Sequence, residues 1–322
     1  MSETLYRKYR PKKFDDVIGQ EQIVATLQNA LKSDRVAHSY IFAGSRGTGK
    51  TTLARIFASA LGVSQNDLYE IDAASNRNID DIRAIRDAVS TLPFDSKFKI
   101  YLLDEVHMLT KESWNALLKT LEEPPSHVIF IMATTEIEKI PDTILSRSEL
   151  HTFKKPDDAV LAKLVKQTAK KEGFAIDDEA AEVLAMLADG SFRDAHGNLQ
   201  KIISSLSGKS IKIEDVEAIS GAPKIALVAD LIDSILNKDI VKAISVIAEL
   251  RKENRDIKVF TKLVLEKVRS ILIARIKGEL GVGDNKAINS ETLIAFLDAY
   301  EKISRSSFPD IALEAALLKM LG

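Results

Sequence analysis

Residues Gly44-Ser45-Arg46-Gly47-Thr48-Gly49-Lys50-Thr51 spell G-x-x-x-x-G-K-[ST] without a gap. No other feature of the chain constrains its fold as tightly. A phosphate loop works only when a strand delivers the backbone to the edge of a sheet and a helix begins directly after it. The N–H groups of the loop and the positive end of that helix then face the phosphates together. Both flanks meet the requirement. Ser39-Tyr40-Ile41-Phe42-Ala43 is a short apolar run suited to a buried parallel strand. From Lys50 to Leu61 there is neither Pro nor Gly, and Leu53, Ile56, Phe57 and Leu61 fall at helical spacing. In this arrangement Lys50 reaches the β- and γ-phosphate oxygens of a nucleotide and the Thr51 hydroxyl holds Mg²⁺. Gly44, Ser45, Arg46, Gly47, Thr48, Gly49 and Thr52 complete the cradle. The alternative, a glycine-rich turn with a chance lysine, leaves both flanks unexplained.

Ile100-Tyr101-Leu102-Leu103-Asp104-Glu105 is an apolar strand ending in two carboxylates. In an ATPase the first acid, Asp104, binds Mg²⁺ through water, and Glu105 polarises the attacking water as general base. A strand ending in acids is common by itself. Placed about fifty residues beyond an intact phosphate loop, it becomes specific. The five histidines (His38, His107, His127, His151 and His196) show no metal-ligand spacing. Trp114, Leu117, Leu118 and Leu121 share one helical face and read as core.

Further strand candidates at Leu68 to Ile71, Lys99 to Leu103 and Val128 to Ala133 alternate with helix-like segments, the pattern of an α/β domain with a parallel sheet. Lys154-Lys155-Pro156-Asp157-Asp158 reads as a linker into a helix cap. A second break falls at Ser220-Gly221-Ala222-Pro223, and beyond it Val228, Leu231, Ile232 and Ile235 form the stripe of an amphipathic helix. Three domains are therefore expected, at 1–155, 156–221 and 222–322. Zero cysteines exclude disulfides, a cysteine-based zinc site and thiol catalysis. No run reaches the roughly 18 apolar residues of a membrane span, and Met1-Ser2-Glu3-Thr4 opens on no apolar signal core. The expectation is a soluble cytoplasmic protein with no membrane contact.

Longer stretches then match a family. Asp104-Glu105-Val106-His107-Met108-Leu109, followed by Asn115-Ala116-Leu117-Leu118-Lys119-Thr120-Leu121-Glu122-Glu123-Pro124-Pro125, resembles the gamma/tau subunit of the bacterial DNA polymerase III clamp loader. The resemblance extends to Tyr9-Arg10-Pro11, Phe14 to Gln20, Ile71 to Ser75, Ala133-Thr134-Thr135, Ser146-Arg147 and Gly190 to Ala195. It is dense over roughly the first 200 residues. It implies an AAA+ module, a helical lid and an all-α collar for the three domains. It also implies ATP and Mg²⁺ as cofactors, and a motor that opens a sliding clamp and loads it on primed DNA. The implied partners are other loader subunits in a hetero-oligomeric ring with several copies of this chain, the clamp, and primed DNA. Two other readings stay open: a stator subunit that does not hydrolyse ATP, and another ring ATPase such as a branch-migration helicase.

Roles carried onto matching positions follow from the resemblance alone. Thr135 corresponds to the sensor that orients water against the γ-phosphate, and Arg193 to the lid sensor that meets the nucleotide in cis. Arg147 corresponds to the arginine finger that enters the neighbouring subunit's site. Arg10-Pro11 and Val17-Ile18 match the segment that wraps the adenine. Arg77, Arg83 and Lys111, on helices that face the ring's channel in the family, are the candidates for DNA phosphate contacts, with Asn78 as cap of the first helix. The chain departs from the family in two places. Leu61-Gly62 runs through a short connector to Leu68 where the family carries a cysteine-rich zinc module, so no zinc is expected, and Ser148 stands where the family has Cys. The third domain is expected to end near the last residue.

Overall fold

The structure, a computed structural model, describes residues 3–76, 79–277, 287–303 and 306–321. By its internal contacts the chain forms two units, Met1–Leu161 with Ala188–Gly197, and Ala162–Leu187 with Asn198–Gly322.

The first unit is built on a five-stranded sheet of β1 (Ser39–Ala43), β2 (Leu68–Asp72), β3 (Lys99–Asp104), β4 (Val128–Thr134) and β5 (Glu149–Thr152). The order is β2-β3-β4-β1-β5, and every pairing is parallel. β1 and β4 are buried along their whole length, as a parallel sheet covered on both faces demands. Alternate side chains go to opposite layers. Tyr40, Phe42, Ile100, Leu102, Ile129 and Ile131 pack with Leu27 of helix Glu21–Lys32 and with Leu53 and Phe57 of helix Lys50–Ala60. Ile41, Tyr101, Leu103, Phe130 and Met132 pack with Ile82 and Ile85 of helix Ile79–Val89 and with Trp114, Leu117 and Leu121 of helix Lys111–Glu122. The register pairs Ala43 with Thr134 and Asp72 with Asp104, so the carboxyl ends of β1, β2, β3 and β4 come out on one edge, where open α/β sheets bind ligands.

Two buried charges brace the loop between helix Ile79–Val89 and β3. Asp67 is 0% exposed and accepts from the backbone N–H groups of Phe94 (2.5 Å), Asp95 (2.9 Å) and Ser96 (2.9 Å). Burial alone would raise its pKa, but those donors outweigh it and hold the carboxyl at about 2. Lys99, 3% exposed, donates to Ala88 O and Thr91 Oγ1. Leu92 and Phe94 nevertheless stand 78% and 80% exposed. Asp67→Ala would strand the three N–H donors and is expected to lower stability by about 3 kcal/mol. Because the folded pKa lies below the unfolded value of about 3.9, this contribution is complete at neutral pH and is lost progressively as pH falls from about 3.9 through about 2. Urea melts of both proteins at pH 7 and pH 3 test this, and a gap of the same size at both would refute it.

In the second unit Val228, Leu231, Ile232 and Ile235 all enter a core with Phe260, Val264, Val268, Phe296, Leu313 and Leu317. Gly221, at φ 74, ends helix Ile213–Ser220, as the break at that point predicts. Ala175–Ile176 and Ser210–Ile211 add a two-stranded parallel pair. Ile294 and Leu297 are exposed. Among the described residues no helix is long and apolar enough to cross a membrane.

Candidate nucleotide site

The phosphate loop leaves β1 at Gly44 and enters helix Lys50–Ala60 through Gly49, whose φ of 103 no other residue adopts without strain. Gly47 is required for a second reason. It has φ 76, and a Cβ there would lie 2.0 Å from Ser191 Oγ. Its carbonyl accepts from the Phe192 N–H at 3.0 Å, so the loop is bolted to the segment that carries Arg193. Thr48, buried, closes the turn on Ser45 O at 2.8 Å. Lys50 is 6% exposed and its ammonium donates to Gly44 O at 2.6 Å and Ser45 O at 2.9 Å. Burial lowers its pKa, Glu105 and Asp104 act the other way, and Arg193 adds to the lowering. Ser45 and Arg46 are exposed at the rim, and Thr52 is half-buried one residue beyond Thr51.

The two acids of β3 are on the loop. The Thr51 hydroxyl donates to Asp104 Oδ2 at 2.8 Å, and the Glu105 N–H donates to Asp104 Oδ1 at 3.0 Å. Glu105 itself has φ 52 and ψ 44, a left-handed backbone that a non-glycine residue holds only under constraint. Its Oε2 accepts from the Thr135 hydroxyl at 3.2 Å. Sequence positions 51, 104, 105 and 135 therefore converge at the carboxyl ends of three adjacent strands. A hydroxyl beside a carboxylate is an oxygen-only donor set of the sparse kind that Mg²⁺ takes, so these residues fit the metal that the loop motif implies.

A second group of predicted residues gathers on the N-terminal segment. Arg193 lies over the Tyr6 ring, 5.9 Å from its centroid, and Tyr9 stacks on His196 at 6.2 Å. The half-buried Arg10 has its pKa lowered by burial and then by Arg55 and Arg193 close by, a cationic cluster that favours an anion. Pro11 and Val17 are half-buried and Ile18 is exposed. Gln20, buried, makes two hydrogen bonds with the backbone of Lys154, accepting at 3.1 Å and donating at 2.8 Å. The structure also gives parts to residues that the sequence marked only as members of the resembling segments, without a role. Ser191 and Phe192 hold the loop and Gln20 its flanking segment.

The other predicted residues lie apart from this constellation. Arg147 is exposed, with Nη1 donating to Thr143 O at 2.9 Å and Nη2 paired with Glu122 at 3.0 Å. Ser148 binds Ser39 at the start of β1, Oγ to Oγ, at 2.7 Å. Arg83 pairs with Asp80 at 3.2 Å, and Lys111 is exposed at the first turn of its helix behind the Thr110 cap. Arg77 and Asn78 lie outside the described residues.

The DNA polymerase III delta subunit family model matches residues 19–70 and 61–157. The tau subunit of Bacillus subtilis DNA polymerase III is 41% identical over an alignment of 275 residues that covers 79% of this chain and 49% of that one. The chain thus spans about half of that relative. The gamma subunit of Buchnera aphidicola subsp. Baizongia pistaciae is 35% identical over 303 residues, covering 88% of this chain and 82% of that protein. Among solved structures, the Thermotoga maritima RuvB Holliday junction branch migration motor aligns with a TM-score of 0.57 and 24% identity over 70% of this chain and 79% of that one, a likeness of fold. With a third of its residues shared across most of the Buchnera protein, the chain belongs to the gamma/tau subunit family of DNA polymerase III.

Proposed function

We propose that this chain is an ATP-hydrolysing motor subunit of a clamp loader. The observation that carries the reading is the convergence of Thr51 with Asp104, and of Thr135 with Glu105, at one edge of the sheet. A stator that only supplies an interface has no use for that full set. Lys50 and the loop N–H groups bind the β- and γ-phosphates, while Thr51 and Asp104 hold Mg²⁺, which when bound neutralises charge on the phosphate oxygens. Glu105 takes a proton from the attacking water, and Thr135 orients both. Arg193 meets the nucleotide in cis, and Arg10, Pro11, Val17 and Ile18 wrap the base. Arg147 serves the neighbouring subunit's site.

On this reading residues 1–155 form the nucleotide module, 156–221 the lid and 222–322 the collar, in a cytoplasmic hetero-oligomeric ring. Arg83, Lys111 and Arg77 track DNA phosphates without base specificity. A branch-migration helicase reading has the fold in its favour, but the Leu121-Glu122-Glu123-Pro124-Pro125 and Ser146-Arg147 segments belong to the gamma/tau pattern.

Steady-state ATPase of the chain assembled with its other loader subunits, with and without clamp and primed DNA, tests the proposal. Stimulation by both is expected, falling about a hundredfold or more in Lys50→Ala. A rate indifferent to DNA and clamp would favour the stator or another ring ATPase.

A further inference from the structure

Thr135 is not the only neighbour of the Glu105 carboxylate. The imidazole of His107 stands beside it, with Nδ1 3.5 Å from Glu105 Oε2 and 3.2 Å from Thr134 Oγ1. On the far side of the ring, Nε2 lies 3.2 Å from Glu136 Oε1. Glu136 is fixed in turn, since its N–H donates to Thr134 Oγ1 at 3.0 Å and its carboxylate pairs with Lys139 at 2.8 Å. The His107 side chain is only 7% exposed, so it cannot swing into water to change partners. Glu105, His107, Glu136, Thr134 and Thr135 close a polar ring around the end of β4. Among the described residues no group of three or more His, Cys, Asp and Glu is arranged to hold a metal, so hydrogen bonding accounts for the imidazole.

An ionised Glu136 only accepts, so Nε2 carries a proton and donates to it. That bond fixes the plane of the ring, whose Nδ1 edge faces Thr134 Oγ1 and borders Glu105 Oε2, while the Thr135 hydroxyl donates to the same carboxylate oxygen. A glutamate has three side-chain torsions, and a base must be held to within about half an ångström of its working geometry. We propose that His107 is a positioning residue for ATP hydrolysis. Held by Glu136, it walls off the alternative rotamers of Glu105 and ties the water-activating carboxylate to the turn that carries Thr135.

This proposal rests on the reading of Glu105 as the base. Its test compares His107→Ala, His107→Gln, Glu136→Gln and Glu105→Gln in the assembled loader with clamp and primed DNA, measuring turnover, ATP affinity and melting temperature. His107→Ala is expected to slow turnover about tenfold to a hundredfold with ATP affinity unchanged. His107→Gln, whose amide can still donate to Glu136 and border Glu105, should recover most of that loss. Glu136→Gln, on a partly exposed turn that tolerates the change, should show a smaller fall of the same kind. Full turnover in both His107→Ala and Glu136→Gln would overturn the proposal, as would losses that simply follow ATP affinity or melting temperature. If Glu105→Gln also turned over normally, the base assignment would fall with it. If Glu105→Gln were inactive while His107→Ala was not, the positioning role alone would fall.

Discussion

Turnover by an assembly carrying Arg147→Ala is expected to fall about a thousandfold or more, while the altered chain binds ATP as tightly as before. The guanidinium contacts Thr143, Ser146 and Glu122, none of which belongs to the chain's own phosphate loop. Its removal therefore leaves the local cradle whole. The exposed pair with Glu122 contributes under about 1 kcal/mol to folding, whereas a thousandfold in rate is about 4 kcal/mol of transition-state stabilisation. An effect that large has to come from charge delivered to a reacting phosphoryl group. On the proposed reading the cation is delivered in trans, which would make hydrolysis conditional on a closed interface between two subunits. ATP binding and turnover measured side by side decide the point. If the altered chain lost ATP affinity in step with turnover, Arg147 would be acting on its own nucleotide.

Glu105→Gln should be nearly as damaging, by about a hundredfold to ten-thousandfold in turnover, with a different signature. Glutamine keeps the shape and can still accept from the Thr135 hydroxyl that sits 3.2 Å from Oε2. It cannot take a proton from water. The altered loader should bind ATP normally and then stall, holding unhydrolysed nucleotide. Single-turnover assays with radiolabelled ATP would show slow chemistry with normal binding. A rate within a few-fold of the parent would move the general-base role to another group, with Asp104 next in reach.

The parallel sheet was legible because its inner strands are buried on both faces. β1 spans the residues expected of it, and β2, β3 and β4 each run one residue past the expected apolar segment. β5 was not. Glu149-Leu150-His151-Thr152 has no apolar run, and Leu150 is 44% exposed, so only its pairing with β1 makes it a strand. The loop, its two acids and Thr135 were legible for a chemical reason, since phosphate and metal binding dictate residue types at set spacings. Asp67 and His107 were not, because each is a single polar residue with a partner, Phe94 or Thr134, that lies 27 positions away in the chain. Neither hydrophobic period nor motif encodes such a pairing. Lys99 is a charge buried at the start of a strand, tolerated because Ala88 O and Thr91 Oγ1 accept hydrogen bonds from its ammonium.

The left-handed backbone of Glu105 sets a trap for anyone improving this protein by selection for thermal endurance. Glycine adopts that conformation freely, and relief of the strain is of order 1 kcal/mol, so Glu105→Gly should recur among hardy variants. Each such winner would have exchanged its chemistry for durability.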